Sequence, residues 1–406
     1  MTPRPHSVFA VALVLGVTPS PAASQPGVTV RRLDGSQIRT AAADSLARRA
    51  LAEHGVTGAQ LAVVVDGRLV WSAAYGLRQK APDVPMQRTT TTWAASITKA
   101  VFATYVMQLV ERGVFDLDLP VAQQLPQPLD RYAPYQEKAA LLVHDTAWAR
   151  VTPRMLLAHT SGLLNFATME PDGRMRLHGA PGAAYRYSGE GFNLVQFVVE
   201  QRLGRPLDVL MREALFAPLG MTRTGLVFRP EFEADVADRF GADGQFLAKT
   251  RRNPARGAGS MTSSAEDLAA FAVALLDGRV LKPETRAAML RPQVRIRSLH
   301  QFALRADEGP GAEADSVGLA YGVGWGLLTR TPFGPAFFKE GHGDGAQTHL
   351  VCFERRRTCM VLLTNSDNGE LAFRPLLEGI LGDTVTPWEW EGYTPAYVAA
   401  ARRAGN

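Results

Sequence analysis

The sequence predicts a mixed α/β fold of the α+β type: an antiparallel sheet flanked by helices, with an inserted all-helical lobe. Three observations predict it. Strand-like runs occur near both ends of the chain, at 61–75 and again between 322 and 364. Residues 118–255 are richer in Pro, Gly and helical pattern and poor in strand pattern. Two strongly apolar helical stretches, 97–112 and 264–277, border that middle region.

The chain opens with Arg4 and His6, an apolar run over 8–17, and then Pro19-Ser20-Pro21-Ala22-Ala23-Ser24. This is the pattern of a secretory signal cleaved near Ser24. A run of that length is too short to span a bilayer, and no later segment reaches about 18 uninterrupted apolar residues. The expectation is a secreted or periplasmic protein with residues 1–24 removed and one domain over 25–406. Within it, an α/β lobe takes 40–117 and 256–385, a helical lobe 118–255, and a tail 386–406.

Residues 40–54 read as a helix with Ala41, Leu46, Ala50 and Leu51 on one side. Asp66-Gly67 between the apolar runs 61–65 and 69–75 signals a β-hairpin. The helix from Ile97 to about Arg112 is apolar on nearly all sides and stops at Gly113, so it is central and buried. Ser264 and Asp267 form a capping arrangement at the start of the next helix. Further strands are expected at 322–328, 336–339, 348–353 and 359–364, and a helix near 370–381.

The chain has two cysteines, Cys352 and Cys359, in apolar runs flanking Glu354-Arg355-Arg356-Arg357. A four-residue loop at 354–357 would pair Phe353 with Thr358 and set Cys352 opposite Cys359, where an oxidising compartment permits a disulfide. The alternative is two separately buried small side chains.

The net charge is +5 and the pI about 9.3, but the arginines are dispersed. No basic stripe interleaves with aromatics, so nucleic acid is not an expected partner. The eight histidines have no His-x-His or His-x-x-x-His spacing and no Gly-x-x-x-x-Gly-Lys loop occurs, so neither a metal nor a nucleotide cofactor is expected. The sequence sets no oligomeric state.

Chemistry is concentrated in Ser96-Ile97-Thr98-Lys99. Of the six lysines, only Lys99 has a serine three residues before it. Residues three apart share a helix face, so the amine can lie beside the hydroxyl. A serine hydroxyl needs a neighbouring base to become a nucleophile, and a lysine withdrawn from water can serve. The pairing suggests acyl transfer through a serine ester.

Six ordered blocks over about 45–385 resemble the serine β-lactamase and penicillin-binding-protein superfamily, in particular its class C β-lactamase-like branch with esterases and D-amino-acid peptidases. They are Ser96-Ile97-Thr98-Lys99, Met155-Leu156-Leu157-Ala158-His159-Thr160-Ser161-Gly162-Leu163, Tyr187-Ser188-Gly189, Leu215-Phe216-Ala217-Pro218-Leu219-Gly220-Met221, the stretch from Gly259 to Leu268, and Gly341-His342-Gly343-Asp344-Gly345. The resemblance implies a β-lactamase/transpeptidase-like fold and an exported serine hydrolase that forms an acyl-enzyme on esters or amides, such as D-amino-acid peptides or β-lactam-like compounds. A β-lactamase or D-Ala-D-Ala carboxypeptidase proper is the alternative, and a non-catalytic penicillin- or cell-wall-peptide-binding module is the reading from another class.

In that likeness Ser96 attacks the carbonyl, while either Lys99 or Tyr187 takes its proton. Tyr185 is the rival phenol. His342 lines the site on a strand edge, and the backbone N–H groups of Ser96 and Gly345 form the oxyanion hole. Gly189, Gly343 and Asp344 contact substrate, and His159 supports a turn beneath the site. Lys339 is a rival cation, although strand alternation turns it away from the face of His342. Two departures stand out. Gly189 stands where β-lactamases carry an amide side chain, and His342-Gly343-Asp344 stands where they carry Lys-Thr-Gly. Both direct the expectation toward esters or D-amino-acid amides rather than β-lactams.

Overall fold

The computed structural model describes residues 28–302, 309 and 311–404. The expected signal sequence lies outside the described residues. Nine strands form one antiparallel sheet: β1 (Gly58–Val65), β2 (Arg68–Lys80), β3 (Asp83–Pro85), β4 (Val294–Arg295), β5 (Leu319–Tyr321), β6 (Gly326–Leu328), β7 (Ala336–Gly343), β8 (Ala346–Phe353) and β9 (Thr358–Thr364). Their spatial order is β4-β5-β6-β7-β8-β9-β1-β2-β3. The early hairpin therefore joins the late strands through β9 and β1, with Cys359 opposite Val64 and Thr364 opposite Ala59.

Alternation divides β1 between two cores. Ala62 and Val64 face one, together with helix α2 (Ile97–Glu111). Leu61, Val63 and Val65 face the other, together with helix α1 (Thr40–Glu53) and the C-terminal helices. Helix α2 buries twelve of its fifteen residues, so packing rather than helix propensity holds it. On α1 the buried stripe is Ala43, Ala47, Ala50 and Leu51. Of the expected face, Ala50 and Leu51 are buried, whereas Ala41 is exposed and Leu46 half-buried.

The Asp66-Gly67 turn takes positive φ at both residues, 53° and 73°, as a tight hairpin requires. The late hairpin has its expected register, Phe353 opposite Thr358 and Cys352 opposite Cys359, and the two cysteines form a disulfide.

Three expectations change. The segment read as one strand at 322–328 is the turn 322–325 between β5 and β6, followed by β6 itself. Gly322 N–H donates to Trp325 O at 2.8 Å and Gly324 sits at φ 82°. A Cβ on Gly324 would stand 2.3 Å from Ala103 of α2, so glycine lets this turn press onto the helix. The Gly-x-Gly-x-Gly spacing imitates strand alternation.

The inserted segment carries short helices joined by loops, with α3 (Gly189–Leu203) its longest element, and it also holds a hairpin of Asp238–Phe240 against Phe246–Lys249. Phe240 N–H donates to Asn365 O at 3.0 Å and ties that hairpin to the end of β9.

The expected tail is folded. Trp388–Glu391 and Pro395–Ala404 are helical, and Trp388, Trp390 and Tyr393 are buried. Glu391 is buried with His349 of β8, their closest atoms 3.1 Å apart.

Replacing both cysteines, Cys352→Ala/Cys359→Ala, should lower unfolding stability by about 2 kcal/mol through the freed short loop. Denaturant unfolding of wild type in reductant should match the variant in oxidant.

Candidate active site

Ser96 is the residue before the first turn of α2, and the chain leading to it is pinned on three sides. Thr92–Trp93 pairs with Thr262–Ser263. Ala94 N–H donates to Met261 O at 2.9 Å, and Thr348 Oγ1 of β8 donates to Ala94 O at 3.1 Å. Ala95 then takes φ 44°, in the left-handed region that costs a non-glycine residue about 1–2 kcal/mol. Such strain persists only where the surroundings over-determine the backbone, as they do here.

One turn later, Lys99 is fully buried, and its Nζ lies 3.0 Å from Ser96 Oγ and 2.6 Å from Ala258 O. Burial pushes the amine below the ordinary lysine range. Tyr187 opposes that shift and the ammonium of Lys339 adds to it.

Tyr187 comes from the loop entering α3. Ser188 caps that helix, its Oγ accepting from Gly191 N–H at 3.1 Å and donating to Leu164 O at 2.8 Å. The His159 ring stacks on Tyr187 with centroids 4.3 Å apart, and its Nδ1 accepts the Ser188 N–H at 3.0 Å. An accepting Nδ1 belongs to a neutral ring, and burial together with Lys99 and Lys339 holds His159 well below the usual histidine range. The expectation that His159 supports the site structurally thus acquires a geometry: it holds Tyr187. Tyr185 lies instead in an aromatic cluster with Tyr321 and Trp390, and burial drives its hydroxyl far above the ordinary range.

Lys339 corrects the sequence reading. It does take the face of β7 opposite to His342, but that face is the one turned to Ser96. A Cβ at Gly341 would stand 2.8 Å from Ser96 N, and one at Gly343 would stand 2.4 Å from the Trp93 ring. Lys339 is fully buried. It contacts Glu340, and its Nζ lies 5.1 Å from the Tyr187 ring centroid, with Lys99 Nζ 4.9 Å from the same ring. Burial raises the Tyr187 phenol, but Lys339 and Lys99 outweigh it and bring the group below its ordinary value, helped by the nearby Ser96 hydroxyl. The permanent cation that the 342–344 motif lacks is supplied by Lys339.

His342 lines the cavity but is half-exposed, with Nδ1 3.2 Å from Glu370 Oε2. Burial disfavours its charged form, yet Glu370, Asp367 and Asp344 together hold it above the usual histidine range. The other predicted positions stand back. Gly345 N–H donates to the Asp367 carboxylate, so this amide is committed elsewhere and does not meet the oxyanion-hole expectation. Asp344 is exposed in the turn after β7, its carbonyl accepting from Arg239 at 2.6 Å, and Gly343 packs on Trp93. None of these three lines the cavity described below.

Gly189 is likewise buried beside it. A side chain there would collide with Phe166 and with Asn165 Oδ1, which accepts the Gly189 N–H at 2.8 Å. Asn165 itself lines the cavity. An amide is therefore present at the site, delivered from the facing loop. Sequence reasoning missed Asn165 and the correct use of Lys339. The signal for the second was the Lys-x-Gly spacing of Lys339-Glu340-Gly341.

Ser96, Lys99, Tyr187, His342 and Asn165 share one cavity of about 660 Å³ that opens to solvent. Among the described residues, no group of three or more His, Cys, Asp or Glu side chains gathers as metal ligands.

Residues 43–381 match the sequence profile described as Beta-lactamase. Esterase EstB of Burkholderia gladioli is 29% identical over 225 residues, covering 49% of this chain and 54% of the esterase, so the match spans about half of that relative. Penicillin-binding protein 4 of Amycolatopsis lactamdurans is 28% identical, covering 82% of this chain and 86% of that protein. Among solved structures, the octameric penicillin-binding protein homologue from Pyrococcus abyssi superposes with TM-score 0.68 at 20% identity, over 87% of this chain and 79% of that one, a likeness of fold.

The electrostatics generate a pH prediction. A phenol acts as a base only when deprotonated, so removing the Lys339 charge raises the Tyr187 pKa and moves the acidic limb of the rate profile to higher pH. Lys339→Met should shift the limb of kcat/KM alkaline by about one pH unit or more, a loss of at least about tenfold at neutral pH. An unshifted profile would detach Lys339 from Tyr187.

Proposed function

The chain belongs to the Beta-lactamase family, and from that premise we propose that it is an exported serine hydrolase working through an acyl-enzyme on Ser96. The observation that carries this is the approach of buried Lys99 Nζ to Ser96 Oγ at 3.0 Å, with Tyr187 beside both Lys99 and Lys339. Export rests on residues 1–24 of the sequence and is supported by the Cys352–Cys359 disulfide.

In this reading Ser96 Oγ attacks the carbonyl carbon of an ester or amide. Lys99 Nζ donates to Ser96 Oγ, so the serine's own hydrogen is free to move the other way. Tyr187 is the acceptor, because its pKa is lowered by two ammonium neighbours and its buried hydroxyl lies near that of Ser96. The same phenol returns the proton to the leaving alcohol or amine. Water then attacks the Ser96 ester, and Tyr187 takes that water's proton and passes it to Ser96 Oγ as the acyl–oxygen bond breaks, restoring the serine. The developing oxyanion lies at the Ser96 N–H. The second donor comes from the outer edge of β7, which has no strand partner beyond Phe338 and runs past Ser96 at Gly341. Asn165 supplies a polar contact to the substrate's amide or ester group.

Ester or D-amino-acid amide hydrolysis ranks ahead of β-lactam hydrolysis. The central residue of Lys339-Glu340-Gly341 is a buried acid that contacts Gln301, so that block offers no hydroxyl to a substrate carboxylate. The second reading, a β-lactamase or D-Ala-D-Ala carboxypeptidase, is favoured by one observation: Lys339 restores the cation whose loss spoke against it.

Ser96→Ala should abolish labelling by a fluorophosphonate probe and turnover of p-nitrophenyl esters while shifting stability by no more than about 1 kcal/mol. Labelling that survives the change would remove Ser96 from its role. Asn165→Ala should lower kcat/KM by about tenfold, chiefly through KM, in line with one lost hydrogen bond.

A further inference from the structure

The cavity in front of Ser96 carries an unbalanced charge. Its described lining includes Arg186, Arg251, Arg252 and Arg256 besides Lys99 and His342, and no aspartate or glutamate. Two of these arginines are already engaged. Arg251 pairs with Glu233, and Arg186 donates to His178 O at 3.2 Å. Arg252 and Arg256 form no ion pair among the described residues.

Arg252 is the more constrained. It is half-buried, with its guanidinium carbon 4.1 Å from the Trp93 ring centroid. Arg239 lies over the same indole at 5.1 Å. Burial, and then the like charges of Arg239 and Arg256, disfavour the Arg252 cation, with the exposed Asp344 the opposing influence. Like charges gathered in a cleft without an internal counter-charge repel one another, and the cleft focuses their field on whatever enters. A planar guanidinium stacked on an aromatic ring keeps its donor edge free to grip a carboxylate with two hydrogen bonds.

The lining also has an apolar part. Leu164, Phe166, Met169 and Phe302 belong to it, and Met169 and Phe302 remain 51% and 42% exposed. Side chains of that size left open at a cavity mouth suit an apolar group of a ligand.

We propose that the cavity selects anionic substrates: Arg252, with Arg256 beside it, holds a carboxylate, while Phe166, Met169 and Phe302 take an aromatic or aliphatic group of the same molecule. As a statement about substrates this rests on the hydrolase reading above, and as a statement about binding it does not. The class is an ester or amide that carries a free carboxylate some distance from the scissile carbonyl.

The test uses two ligands of one shape, 3-phenylpropionate and its neutral amide, titrated calorimetrically into the full-length protein. The carboxylate should bind at least about tenfold more tightly, and its advantage should shrink with added salt. Arg252→Gln should erase the difference, and Arg252→Lys should restore part of it. Exposed Arg256→Gln should reduce it, and carries the mutational arm if Arg252→Gln fails to fold by circular dichroism. Equal affinity of the wild type for both ligands, no binding of either, or an advantage that survives both glutamine variants would overturn the proposal. Fluorophosphonate labelling of Ser96 is read separately. Binding through Arg252 without labelling would defeat the hydrolase reading and keep the anion site, whereas labelling without carboxylate preference would do the reverse.

Discussion

Two ammonium groups withdrawn from water beside one phenol are the constraint on which this structure turns. Lys99 and Lys339 approach the Tyr187 ring at 4.9 and 5.1 Å, and both lysines are fully buried. Buried like charges are expensive unless each is offset. Glu340 contacts Lys339, Ala258 O accepts from Lys99, and the phenol moves toward its anion. The surroundings obey the same demand. His159 is held neutral, so that no third cation joins the cluster, and it uses its free ring nitrogen to fix the backbone beside Tyr187. Helix α2 is buried on nearly every side because Lys99 must be dry. Gly324 and Gly341 leave room for backbone to close around the helix and its serine.

What could be read from the sequence follows the range of the interactions involved. The Cys352–Cys359 hairpin was legible because its register depends on a four-residue loop and strand alternation, both local. The Ser96–Lys99 pairing was legible because helix geometry alone sets it. Lys339 was misjudged although its parity was read correctly: alternation separates two faces but does not say which one a distant helix will cover. Asn165 was invisible for a related reason. It stands 24 residues from the glycine whose space it occupies, and only the packing of two loops brings them together. Gly345 was assigned by counting along a motif, and Asp367 then claimed its amide. The aromatic content of the last twenty residues, with three side chains buried against the sheet, marked the supposed tail as part of the fold.

The cavity also changes the meaning of the chain's overall charge. A net +5 spread over 406 residues reads as an ordinary basic surface. The structure concentrates part of it, bringing Arg251, Arg252 and Arg256 from one short stretch to the mouth of the site with Arg186 from another. Two of these four have partners within the protein, and the other two form no ion pair among the described residues. Composition registers the sum of charges, while a ligand meets their arrangement.

The joining of β9 to β1 has a consequence for how the molecule comes into being. Strand β1 lies between β2, its neighbour in sequence, and β9, about 300 residues later. A ribosome delivers the first hairpin long before the strand that completes it. Until residues 358–364 emerge, one side of β1 is an unpaired edge with an apolar face. Contacts so distant in sequence are slow to form because loop closure precedes any gain from pairing. The sheet that walls the pocket around Lys99 is therefore completed late, although helix geometry has already set Lys99 beside Ser96.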